Sequence, residues 1–170
     1  MTTATRTRPA SGQLQRDVDE AYRRRGWVGT SFRHAIDGLD HREAVWRPAM
    51  LKHGIAEIVL HCAYWKNRVR HRLQGDRGRT FPLAGRDWFE VAPDLDAAGW
   101  AEIVAISDDE HRQLVEVVRT ARLDGLQGSD RARRNRQQAF GIAMHDMYHT
   151  GQIKWIRVMH QRKRRRAGQE

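Results

Sequence analysis

His145 and His149 stand four residues apart in the last third of this chain. At about 100° per residue a helix places them about 40° apart, with Gln152 and Ile156 about 20° to either side of His145. Both rings therefore occupy the middle of the stripe that must turn toward a core. Leucine there would be the low-energy choice, because a buried imidazole costs free energy unless its ring nitrogens find partners. One partner that satisfies two histidines together is a metal ion, and the i, i+4 spacing puts both rings on the same side of it. The same pattern also arises when one histidine is a hydrogen-bonded core residue and the other lies at a wet edge. A third ligand from another helix separates these readings, and His61 can supply it from the flank of an apolar helical face, about 80° from its centre. The set predicted to hold a metal is His61, His145 and His149. Of the other six histidines, His34, His41, His71 and His160 lie in charged stretches and are expected to be solvated. His53 could reach the start of the helix carrying His61, and His111 is the reserve ligand.

Three neutral imidazoles leave a tetrahedral or octahedral ion with at least one open position, as catalytic sites require, and suit Zn²⁺, Ni²⁺ or Fe²⁺ equally. Such a position can bind a thiol as thiolate for attack on an electrophile, or lower the pKa of water for hydrolysis. The nearest acids in sequence are Glu57 and Asp146. Glu57 lies one turn before His61 and could orient that ring or act as a base, although it is also placed to cap its own helix. Asp146 makes the segment His-Asp-x-x-His, close to the HExxH pattern, but the shorter carboxylate reaches less far. At about 100° from His145 it is expected at the surface, or behind a ligand as its hydrogen-bond partner. Tyr148 and Gln152 flank the ligands and could donate hydrogen bonds to a substrate. Glu57, Tyr148 and Gln152 are thus the candidates for a catalytic role.

The elements that must position these residues are helical. Four stretches show a 3.6-residue apolar period and none alternates as a strand does. They span about Gln13–Leu39, Ile55–Leu73, Asp96–Arg122 (with Asp96 as N-cap) and Ala132–Gln161. Gly54 stands at the N-cap of the second, and Glu57 is placed to close a capping box. The stretch Gln74–Pro93 is long for a connection in a compact domain, and Phe81, Trp88 and Phe89 indicate that part of it packs down. This pattern predicts an all-α, antiparallel four-helix bundle with a long connection between helices 2 and 3, long enough to allow one crossover. The expected organisation is a disordered segment at 1–12, the bundle at 13–161 and a solvated basic tail at 162–170.

Composition narrows the function classes. Across 170 residues there are 31 Lys and Arg against 21 Asp and Glu, a net charge of +10. Such a balance permits polyanion binding without demonstrating it. Basic clusters at Arg23–Arg25, Arg131–Arg136 and Arg162–Arg166 favour a non-catalytic polyanion-binding module as one alternative, but no nucleic-acid motif appears. The single cysteine, Cys62, excludes an internal disulfide and points to the cytoplasm. The first 12 residues lack the apolar core of a secretory signal, and no apolar run approaches the roughly 20 residues that span a bilayer. No membrane partner is expected, and a homodimer is allowed.

The segments Trp46-Arg47-Pro48, Ile55–His61 and His145-Asp146-Met147-Tyr148-His149-Thr150-Gly151-Gln152-Ile153 resemble the DinB/YfiT-like superfamily of bacterial metal-binding four-helix bundles. The last segment is similar to that family's HxxxHxGQ motif, and His61 matches its single histidine on the second helix. Trp88 and Trp100 also stand where such proteins often place tryptophan. The resemblance covers about Gln13–Gln161 and departs at Gly54, where members commonly carry a capping serine. It implies the bundle, a divalent metal and a small-molecule substrate. Since characterised members include thiol-dependent transferases, it also implies transfer of a low-molecular-weight thiol to an electrophile, with a metal-dependent hydrolase as the alternative.

Overall fold

The computed structural model describes residues 10–23, 28–76, 80–121 and 129–168, with backbone alone at 10 and 11. Six helices follow one another: α1 (Ala10–Arg23), α2 (Phe32–Ala35), α3 (His41–Val45), α4 (Ile55–Gln74), α5 (Ala97–Thr120) and α6 (Asp130–Ala167). The four long ones form the bundle, in which α1 and α4 each pack against both α5 and α6. The described residues contain no strand.

The first predicted helix is broken. Gly29 adopts the left-handed φ of 77° that glycine tolerates best, and Ser31 caps a new start at α2 by accepting from the His34 N–H. Asp40 caps α3 in the same way through the Glu43 N–H. The α4 start follows expectation, because the Gly54 N–H donates to Glu57 Oε2 at 2.7 Å. A Cβ on Gly54 would lie 3.2–3.4 Å from the carbonyl oxygens of Ala44, Val45 and Trp46, so the end of α3 leaves little room for the usual serine. Asp96 caps α5 as predicted. At the other termini the expected limits move. Residues 10–12 open α1, while 1–9 lie outside the described residues. The helix predicted to stop at Gln161 continues to Ala167, with 161–168 exposed along it.

The crossover that the long connection allowed is realised. After α4 the chain turns back along it: Thr80 O accepts from Asn67, then Asp87 meets Trp65 and His61, and Trp88 reaches His53. The connection thereby returns to the end where α4 began, and α5 starts beside α3, where the Trp100 indole donates to Leu39 O. By contrast, α6 runs antiparallel to α4, pairing His61 with His145 and Arg72 with Gln138.

Two apolar clusters fill the bundle. One gathers Phe32, Ile55, Val59, Trp100, Ile153 and Ile156; the other gathers Val18, Val69, Leu73, Leu114, Val118 and Ile142. A polar layer adjoins both. Lys66 Nζ pairs with Asp146 Oδ1 at 2.6 Å, both fully buried, and lies 4.5 Å from the centre of the Tyr22 ring. Tyr22 in turn stacks on His111 and donates to Ser107 Oγ. Asp146 is therefore no surface residue. Its position on α6 faces inward, where Lys66 offsets the cost of burying the carboxylate. His111 is likewise spent elsewhere, with its Nε2 3.2 Å from Asp19, so it is no reserve ligand. Two histidines expected in solvent are also engaged: buried His71 meets Asp76 at 2.6 Å, and His160 packs at a tilt against Trp46 near Glu43.

Candidate metal centre

The second turn of α4 presents His61, and the middle of α6 presents His145 and His149. Their Nε2 atoms converge: His61 to His145 is 3.1 Å and His149 to His145 is 3.2 Å. The hydrogen bonds on the far side of two rings fix which atom faces inward. His61 Nδ1 lies 3.1 Å from both the backbone oxygen and the Oδ1 of Asp87. His149 Nδ1 lies 2.7 Å from Gln152 Oε1. Each Nδ1 thus carries the proton and donates it, which leaves both Nε2 lone pairs aimed at one point. Ring nitrogens 3.1–3.2 Å apart with lone pairs facing one another repel unless a cation or proton lies between them. With metal–nitrogen bonds near 2.05 Å, tetrahedral ligands would stand about 3.4 Å apart. The residues present fit a metal ion, and the three-histidine group could bind one.

Electrostatics point the same way. Burial, reinforced by His149 and His61, pushes the His145 pKa down to about 3. Burial and His61 push His149 down to about 4. His61 is also lowered by burial, against the opposing pull of Asp87. All three are neutral at pH 7, as ligands must be.

The crossover connection supplies what sequence reasoning missed. Asp87 is the one non-glycine with positive φ among the described residues, at 66°. A conformation that costs about 1–3 kcal/mol there aims two oxygens at one imidazole. Its Oδ1 also accepts from the Trp65 indole at 2.8 Å. The next residue, Trp88, is sandwiched between His53 at 3.8 Å and His61 at 3.9 Å, nearly parallel to both. Nothing periodic marks an acid in a polar loop, so the only sequence signal for Asp87 was its neighbour Trp88.

The three rings form one side of a cavity of about 590 Å³ whose apolar walls are Leu51, Ile58, Trp88, Trp155 and Ile156. Lys52, Tyr148 and Gln152 add polar groups. Among the predicted catalytic candidates, Tyr148 and Gln152 line the cavity and Glu57 does not. Gln152 bridges His149 to Tyr148, donating to the Tyr148 hydroxyl at 2.9 Å. Glu57 is consumed by its cap on Gly54 and by Arg47 at 3.2 Å. Among the three ligand rings, the buried His145 Nδ1 has no hydrogen-bond partner. Cys62 and Asp146 lie on that part of the core, where their donor atoms and one of His145 stand within 4.8 Å of one another. Lys66 already holds Asp146, and burial pushes the Cys62 thiol pKa up, so this second grouping lacks the ready anions a metal needs.

A sequence profile of the DinB superfamily matches residues 26–153, a span that includes His61, His145, His149 and Gln152. The chain belongs to the DinB superfamily. No curated protein and no solved structure matches it. Among the described residues, no helix is long and apolar enough to cross a membrane.

Proposed function

We propose that this DinB-superfamily chain is a metal-dependent enzyme that transfers a low-molecular-weight thiol to an electrophilic substrate, with His61, His145 and His149 as metal ligands. The observation that carries this reading is the convergence of three Nε2 atoms on the wall of a largely apolar cavity. A bound Zn²⁺, Ni²⁺ or Fe²⁺ would supply an open Lewis-acid position that lowers the pKa of a thiol or water. No carboxylate lines the cavity, so the side-chain base it could offer a hydrolase is His53, whose ring is stacked on Trp88. A thiol, with an ordinary pKa near 8.5, needs no such base. Asp87 and Gln152 hold two ligand tautomers, and Tyr148, whose oxygen accepts from Gln152, keeps its own proton free to donate to a substrate. The walls of Leu51, Ile58, Trp155 and Ile156 exclude water and favour an apolar electrophile.

The test is elemental analysis of the purified protein followed by a thiol-dependence assay on the metal-loaded form, with 1-chloro-2,4-dinitrobenzene as the probe. In that reaction a carbon–sulfur bond forms and chloride leaves. Turnover that needs metal and small thiol together is the expected result. Metal-dependent cleavage of ester probes without thiol would replace the transferase with a hydrolase. Salt-sensitive binding to nonspecific duplex, with neither activity, would favour the polyanion module.

A further inference from the structure

The outward face of α6 is apolar where a lone bundle would carry charge. Gly141, Met144, Tyr148, Gly151, Trp155 and Val158 fall within about 100° of one another on the helical wheel, opposite the side that buries Ala139, Ile142, Ala143 and Ile153. The four large residues of this stripe are 37–64 % exposed, and Phe140 beside them is 54 % exposed. The two glycines have nothing within 4 Å of where a Cβ would stand. Each costs about 1 kcal/mol relative to alanine inside a helix, and no contact within the chain accounts for either.

We infer that this face is the interface of a two-fold homodimer in which α6 packs antiparallel on α6 of a second copy. The spacing selects that occupant. The six positions follow intervals of 3, 4, 3, 4 and 3 residues, a heptad pattern that reads the same in both directions. Laid antiparallel on itself, it sets Gly141 against Val158, Met144 against Trp155 and Tyr148 against Gly151. Each glycine then meets a larger side chain, and both copies use the same patch, as a two-fold requires. The helix is flanked by depressions of about 590 Å³ beside Tyr148 and Trp155, 330 Å³ beside Phe140 and Met144, and 230 Å³ beside Val158. The stripe runs about 27 Å, and with its grooves is about two helix diameters wide, a footprint of roughly 600 Å². That approaches the ~800 Å² per partner of a standard interface before side-chain relief is counted. Tyr148 and Trp155 belong both to the stripe and to the histidine cavity, so the second copy would roof the mouth of that cavity. The roofing rests on the function proposed above; the dimer does not.

Electrostatics give the interface a signature. The antiparallel register brings Arg133 and Arg134 of one copy toward the basic run 162–166 of the other, and each chain carries a net charge of +10. Salt screens that repulsion, so association should tighten as salt rises from about 0.05 M to about 0.5 M, the reverse of polyanion binding.

Sedimentation velocity of the full chain should show twice the 19.8 kDa mass, with the dimer fraction rising with salt. Gly151→Glu should sediment as a monomer with unchanged helical circular dichroism. Register is read by oxidation: the double variant Gly141→Cys/Val158→Cys should give covalent dimers, and neither single variant should. Within one chain these positions are about 25 Å apart, too far for a disulfide, and Cys62 is buried. A wild-type monomer at every concentration and salt, a Gly151→Glu dimer, or cross-linking by Gly141→Cys alone would each overturn the inference. The metal content of Gly151→Glu, measured alongside, reports on the histidine site and not on the dimer.

Discussion

On α6, one peptide bond separates two polar centres with opposite fates. Asp146 faces Lys66 across the bundle and is closed: two charges 2.6 Å apart, both fully buried, with aromatic rings over the ammonium. His145 faces His61 across the same two helices and is open: neutral nitrogens gather beside a cavity with lone pairs unspent. Both centres cost desolvation. The first recovers it within the chain, so it serves the fold. The second recovers part of it through Asp87 and Gln152 and leaves three ring nitrogens facing one another, where a metal ion could bind.

Breaking the closed centre should have the largest effect on stability. Lys66→Met leaves the Asp146 carboxylate buried without a partner, and losing one member of such a pair costs about 3–5 kcal/mol. At roughly 2–4 °C per kcal/mol for a chain of this size, Tm should fall by about 10 °C. Lys66→Met/Asp146→Leu should recover most of that loss. If the single and double variants melt alike, the pair does not carry the layer.

The open centre should behave the other way. His61→Ala, His145→Ala and His149→Ala should each lose most of about one metal ion per chain by elemental analysis, while the metal-free Tm moves little. Full occupancy in all three variants would remove the site. The supports behind the ligands should matter less. Asp87→Gly keeps the left-handed backbone but deletes the carboxylate, and Gln152→Ala deletes the acceptor on His149; each should weaken metal affinity about 10–100-fold by competition titration. Asp87→Asn should lose less, since its amide oxygen still accepts.

Acid sharpens the contrast. The metal-free histidines have folded pKa values of about 3 for His145 and about 4 for His149, below the unfolded value near 6.5. Between about pH 6.5 and 4 the unfolded chain therefore binds more protons than the folded one, and stability falls as pH falls through that window. The apo protein should keep its helical circular dichroism at pH 8 and lose Tm across the window. The holo protein should resist to lower pH, because protons must first displace the metal. Coincident acid profiles would return these residues to ordinary core histidines. The smallest effect belongs to the α6 extension: deleting Arg162–Glu170 should leave Tm nearly unchanged, since residues 162–168 are exposed.

The sequence made legible whatever repeats or pairs along one helix. His145, His149 and Gln152 share a face by spacing, Asp96 and Glu57 announce their caps, and the apolar period marks α4, α5 and α6. Contacts made between segments were mostly not legible, the approach of His61 to His145 and His149 being the exception. Asp146 reads from sequence as a surface acid or as a hydrogen-bond partner behind a ligand, because Lys66, which it pairs with, stands 80 residues earlier. The apolar period over Gln13–Leu39 reads as one long helix, whereas the chain turns at Gly29 and restarts after Ser31. Asp87 carried no pattern, because its role comes from a backbone conformation that only the returning connection imposes.

That connection also gives the centre an optical handle. Trp88 lies face to face with His61 at 3.9 Å, the shortest approach to the histidine triad among the described indoles. An excited indole passes its electron to a stacked imidazole more readily once that imidazole gains positive character from a proton or a cation. The Trp88 share of the indole emission should therefore follow the state of His61. Binding of a metal ion at the three histidines should then change the emission of the unlabelled protein, and Trp88→Phe should remove that change.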